Sequence, residues 1–293
     1  MALSKKGIAF TVGAMSMLFA GTWCTSAYED VKNEIVAQKK KKEDEEAFIA
    51  EQKQKIEALA LRYTSTKKDY VNYAYDANHV SEFLLNKKTE SNSKRVFFTF
   101  DNVTSAETSD VIKQMLGEYN AKATFFYTGK YVEKNKESMT PIIQGLYNDG
   151  NSIGNRSYSD SYGYLFPGRR VNQNNFLEDY AKTDDVLRDI LGDSFKTRAY
   201  RCPGGSMSWR GINDFYNEYS EKKSFAIIDW NVSPSANSSK SGSAIAQNAI
   251  KSSQDKDMVV LLVPNLSTDK MIEFLQETLA WYDSNGYLFN SLG

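Results

Sequence analysis

The chain predicts an α/β protein built on a parallel sheet, and two observations carry that expectation. Short runs rich in aromatic and β-branched residues alternate with longer runs of helical spacing from Arg95 onward. Several of the short runs, such as Met258 to Val263, are apolar nearly throughout, as strands covered on both faces are. Repeated strand-to-helix crossovers call for parallel pairing, in a sheet either open or closed into a barrel.

The strands are expected at Arg95 to Phe100, Ala123 to Tyr127, Ser152 to Ile153, Thr197 to Arg201, Ser224 to Asp229, Met258 to Val263 and Tyr287 to Leu292. Helical spacing covers Ala106 to Tyr119, Ser138 to Asn148, Gln173 to Leu191, Trp209 to Tyr219, Gly242 to Lys251 and Thr268 to Ser284. In such folds the chemistry sits at the C-terminal ends of the strands, so the residues just after each strand are the informative ones.

Upstream of the sheet, residues 1–28 contain an uncharged run, Gly7 to Tyr28, preceded by Lys5 and Lys6 and followed by Glu29 and Asp30. As a helix, about 21 residues rising 1.5 Å each cross a roughly 30 Å hydrocarbon core. The flanking charges favour an N-terminus inside and the remainder outside. The run reads as a signal-anchor, with a cleaved signal peptide ending near Thr25 to Ala27 as the alternative; either exports the rest. Residues 29–62, dense in Lys, Glu, Gln and Ala, read as a charged helical stalk, and 63–94 as a connector docking on the domain of residues 95–293.

Composition excludes some partners. Lys and Arg number 36 against 37 Asp and Glu, so no net field draws nucleic acid. Two cysteines, Cys24 and Cys202, define no disulfide framework. The single histidine, His79, falls in the connector, where a surface role is the ordinary reading.

At the predicted strand ends stand FTFDN, IGNRSYSD, YRCPGG, IIDWNVS and VVLLVPN, in that order. The ordered set resembles the NodB-homology polysaccharide deacetylases, the family 4 carbohydrate esterases, over roughly the last 200 residues. The resemblance implies a distorted (β/α)7 barrel that binds N-acetylglucosamine-type polymers. In active members it also implies a divalent metal, usually zinc, that assists hydrolysis of acetamide groups.

Carried over position by position, the resemblance puts Asp101 at the base position and Asn102 where a metal-binding aspartate is expected. The H-[ST]-x-x-H motif is replaced by Arg156-Ser-Tyr-Ser-Asp160, and a guanidinium offers no lone pair to a metal. Arg156 is expected instead to stand between Asp101 and Asp160 as a fixed cation; the alternative is that it swings to solvent. Arg201, followed by Pro203 and Gly204, keeps the family's R-x-P pattern and is expected to pair with Asp101. A carboxylate engaged by two guanidinium groups makes a poor general base. Asp229 and Trp230 match an Asp-Trp-Asn element, Trp230 offering a face for a sugar ring or a place in the core. The histidine that would protonate the leaving amine falls at Pro264, or at Val263 with a one-residue slip.

These substitutions point to a family member without bound metal or deacetylase activity, held at the membrane outside the cytoplasm and binding cell-wall glycan or a protein partner. Two alternatives stand beside it: an active deacetylase or esterase with a rearranged site of Asp101, Asn102 and Asp160, and a scaffold acting through its helical stalk.

Overall fold

The computed structural model describes residues 32–44, 46–47, 50, 65–86, 93–223, 225–236 and 240–293. The chain divides into two units, Met1–Gln54 and Lys55–Gly293. In the first, residues 32–44 are helical, with exposed Lys39–Glu43 and Lys42–Glu46 pairs one helical turn apart. The apolar run Gly7 to Tyr28 lies outside the described residues, and no helix among those described is long and apolar enough to cross a membrane.

In the second unit the parallel strands are β2 (Arg95–Asp101), β3 (Thr124–Tyr127), β4 (Ser152–Asn155), β5 (Ala199–Tyr200), β6 (Ala226–Ile227), β7 (Met258–Val263) and β8 (Leu288–Phe289). They run in the order β6-β5-β4-β3-β2-β7, with β8 added against the start of β2. The sheet curls into an incomplete barrel, and the stretch after β6 meets β7 at a bridge between Val232 and Leu261. Asn231 helps close this seam: its Oδ1 accepts the Val260 N–H at 2.8 Å and its Nδ2 donates to the Met258 carbonyl at 2.9 Å.

Alternation along β2 sorts its side chains. Val96, Phe98 and Phe100 join the larger apolar core, which also holds residues of α2 (Ala106–Glu118), α4 (Lys136–Asn148), α8 (Gly242–Ser253) and α9 (Thr268–Ser284). Phe97 instead meets Phe126, Met258 and Val260 in a second cluster, and Thr99 and Asp101 follow it at the same two-residue period. Side-chain hydroxyls and amides start several helices: Ser105 accepts the Thr108 N–H, Asn172 that of Asn175, and Ser241 that of Ala244.

The connector is woven into this unit. Its β1 (Ala74–Tyr75) pairs in parallel with β9 (Ser291–Leu292), and Ala77 donates its N–H to the Gly293 carbonyl. The helix that follows, α1 (Ala77–Asn86), places Ala77 and Val80 in the cluster of Phe97 and Leu292. His79 is exposed on that helix, its ring edge-on to Tyr75 at 5.6 Å.

The structure departs from the sequence expectations at several boundaries. Tyr287 to Leu292 is two short strands in different sheets, not one. A short helix α3 (Gly129–Lys134) precedes α4, and another, α5 (Tyr162–Leu165), follows β4. Between Leu191 and Ala199 the long helix α6 (Gln173–Leu191) returns to the sheet without further regular structure. Trp209 lies before its helix, α7 (Ile212–Lys223), because Gly211 at φ +75° breaks the backbone ahead of it.

Candidate functional site

The site is built on the C-terminal ends of β2, β4, β5 and β6. Asp101, the last residue of β2, receives two arginines: Arg201 donates from Nη1 to Oδ1 and Arg156 from Nε to Oδ2, both at 2.9 Å. Arg156 also reaches Asp160 Oδ2 from Nη1 at 3.0 Å and the Thr128 hydroxyl at 3.3 Å. Burial works against the charge on Arg156, but Asp101 and Asp160 outweigh it and hold the guanidinium pKa above its ordinary value.

Arg201 is wholly buried, and each of its nitrogens is engaged. Nε donates to the Ile228 carbonyl at 3.1 Å, while Nη2 donates to Thr99 Oγ1 at 2.9 Å and to the Asp229 carbonyl at 3.4 Å. The guanidinium carbon stands 4.3 Å from the Phe126 ring centre and 5.4 Å from that of Trp230. A buried cation persists only where its hydrogen-bonding capacity is met, and here carbonyls, a hydroxyl and a carboxylate meet it.

The remaining predicted residues hold the frame. Asn102, with φ +51°, accepts the Thr128 N–H on Oδ1 at 2.9 Å and donates from Nδ2 to the Thr128 hydroxyl at 3.1 Å. Asp229 accepts the Ser206 N–H on both oxygens at 2.9 Å and its hydroxyl at 2.6 Å, pinning the turn after Pro203 and Gly204. Trp230, half-buried, covers Gly205, where a Cβ would come within 3.3 Å of the indole. Val263 and Pro264 line a cleft of about 140 Å³ beside Asp101, Asn102 and Thr108.

Sequence reasoning passed over Asp179, although this residue builds the loop that carries Arg156 and Asp160. Its buried carboxylate accepts the Ser157 hydroxyl at 2.5 Å and the N–H groups of Tyr158 and Ser159 at 2.6 and 2.8 Å. Ser157 and Asp160 both have positive φ, so the loop depends on such local hydrogen bonds. A signal was present: Asp179 lies on the stripe of α6 that buries Phe176, Thr183, Leu187 and Ile190, where an unpaired acid would be out of place. Beneath, Asn155 accepts the Ser157 N–H and donates to Asp184, whose carboxyl burial pushes up to about 6 despite that hydrogen bond.

These residues do not make a ligand set for a divalent cation. The carboxylates of Asp101 and Asp160 are turned to Arg156, the Asn102 amide is engaged by Thr128, and a guanidinium has no lone pair to give. Among the described residues no three His, Cys, Asp or Glu side chains are grouped to hold a metal.

The profile of the polysaccharide deacetylase family matches residues 88–220, across β2 to β5 and the loops just described. This segment is a polysaccharide deacetylase domain. Among curated relatives, a peptidoglycan-N-acetylglucosamine deacetylase of Bacillus cereus is 28% identical over 142 residues, 48% of this chain and 46% of that one. The chain thus spans less than half the length of that relative. A solved Streptococcus mutans CE4 esterase superposes with a TM-score of 0.67 at 26% identity, covering 78% of this chain and 95% of that one. A CE4 family pseudoenzyme from Bacillus anthracis shares the fold, with a TM-score of 0.55 at 19% identity over 69% of this chain and 65% of its own.

Proposed function

We propose that this deacetylase-family protein is anchored by residues 1–28 with residues 29–293 outside the cytoplasm, and that it binds cell-wall glycan in the strand-end groove without hydrolysing it. The observation that carries the reading is the position of Arg156, whose guanidinium is held between Asp101 and Asp160. Metal-assisted amide hydrolysis needs an activated water, stabilisation of the oxyanion and a proton for the leaving nitrogen. Asp101 is committed to two arginines, and neither Val263 nor Pro264 carries a proton to donate. The missing acid alone accounts for roughly 10²–10⁴-fold in rate.

Glycan is favoured over other ligands by the curated relative that deacetylates peptidoglycan, and by Trp230 beside the strand ends. The reading is tested on purified full-length chain in three ways. Metal analysis is expected to find less than stoichiometric zinc, and acetate release from N-acetylglucosamine oligomers is expected to match buffer alone. Calorimetric titration with the same oligomers is expected to give a saturable response. Stoichiometric zinc with acetate release would instead establish the rearranged enzyme, and a flat titration would remove glycan as the ligand.

A further inference from the structure

A second concave surface lies beside the Gly204 turn, formed by the loop after β4 and the segment before α7. We propose that this cleft is a sugar-binding subsite in which Tyr162 and Trp209 take the face of a pyranose ring; the proposal rests on the glycan reading above and extends the groove away from Asp101. The cleft has a volume of about 580 Å³, within the roughly 300–1,000 Å³ of small-molecule sites.

Its aromatic floor is fixed in advance. Phe166 is buried and stacks on Trp209 at 4.2 Å with 4° between the planes, and the indole N–H donates to the Pro203 carbonyl at 2.8 Å. Tyr162 meets Trp209 at 5.1 Å and 60° yet keeps 52% of its surface exposed. A large aromatic held rigid and left half in water loses little freedom on binding, which is the condition for useful stacking.

The rim is polar. Arg169 reaches across to the Ser208 carbonyl at 3.0 Å, and the Ser208 hydroxyl donates to the Gly204 carbonyl at 2.9 Å. Arg169 is the only charged residue lining the cleft among those described. An apolar floor framed by hydroxyl, carbonyl and guanidinium groups suits a ligand with one apolar face and a hydroxylated edge, which is the character of a pyranose. Gly204, in the turn that Asp229 pins, lines the cleft. It has φ +72°, and a Cβ there would sit 3.0 Å from the Tyr162 hydroxyl, so glycine lets that side chain lie close against the turn.

The test is calorimetric titration of the full-length chain with the tetramer of N-acetylglucosamine, comparing wild type with Tyr162→Ala, Tyr162→Phe and Gly163→Gln. The subsite predicts affinity about tenfold weaker for Y162A, the loss expected from one good aromatic contact, and affinity within about twofold of wild type for Y162F. Gly163 has open space around it, so G163Q removes no contact but obstructs the cleft, and it too should weaken binding severalfold. If wild type binds and both Y162A and G163Q bind equally well, the subsite is overturned while the groove reading stands. No binding by wild type overturns both.

Discussion

At the scale of single residues, the pairing of Asp101 with Arg201 decides whether the top of the barrel is tolerable. Arg201 is fully buried, so removing its carboxylate leaves a charge with only neutral acceptors. Asp101→Ala is expected to lower stability by about 3–5 kcal/mol, read by urea denaturation, whereas an eroded site with idle charges would lose little. Asp184 supplies a pH dependence. Its folded carboxyl titrates at about 6, above the ordinary value of 3.8, because burial penalises its charge. The folded state therefore binds the proton more tightly, and this contribution is full below pH 4 and lost as pH rises through 6. Asp184→Asn keeps an acceptor for Asn155 without the charge, so it should raise stability at pH 7 by about 3 kcal/mol and make no difference below pH 4. Thermal unfolding of both proteins across pH 3.5–7.5 checks the sign.

Among elements, the loop from Ser157 to Asp160 is the one most dependent on a distant partner. Asp179 engages one hydroxyl and two backbone N–H groups of that loop from the middle of α6. Asp179→Ala is expected to cost about 2–4 kcal/mol and to free Arg156, seen as faster amide exchange over residues 156–160 than elsewhere. The element scale also shows what was legible beforehand. Long, nearly unbroken apolar runs such as β7 and strongly periodic helices such as α6 and α9 were readable because their pattern repeats several times. The runs Thr197 to Arg201 and Ser224 to Asp229 were also readable as strands, though only two residues of each pair, as β5 and β6, and the split of the last run into β8 and β9 is a matter of which strands lie beside it. The strand-end motifs named Asp101, Arg156, Asp160 and Arg201 from the chain alone. Asp179 and Thr128 were missed because their roles are hydrogen bonds to residues far off in sequence.

On the scale of the whole domain, the connector and β9 act as a plug beneath the sheet. Leu292 and Val80 are both wholly buried in the cluster of Phe97 and Met258. Leu292→Ala is expected to cost about 2–5 kcal/mol. Val80→Ala should be non-additive with it, because both side chains line one cluster, and a double-mutant cycle by thermal or urea unfolding measures that coupling. Such coupling would show that residues 65–86 belong to the cooperative unit of the barrel, which pattern reasoning could only describe as a docked connector.

Within the ion-pair cluster of Asp101, Asp160, Arg156 and Arg201 the four charges sum to zero. An internally compensated pocket projects little potential into the surrounding solution, so counter-ions have almost nothing there to screen. Whatever enters should therefore hold with nearly the same dissociation constant in dilute buffer as in molar sodium chloride, and its association should proceed without long-range steering.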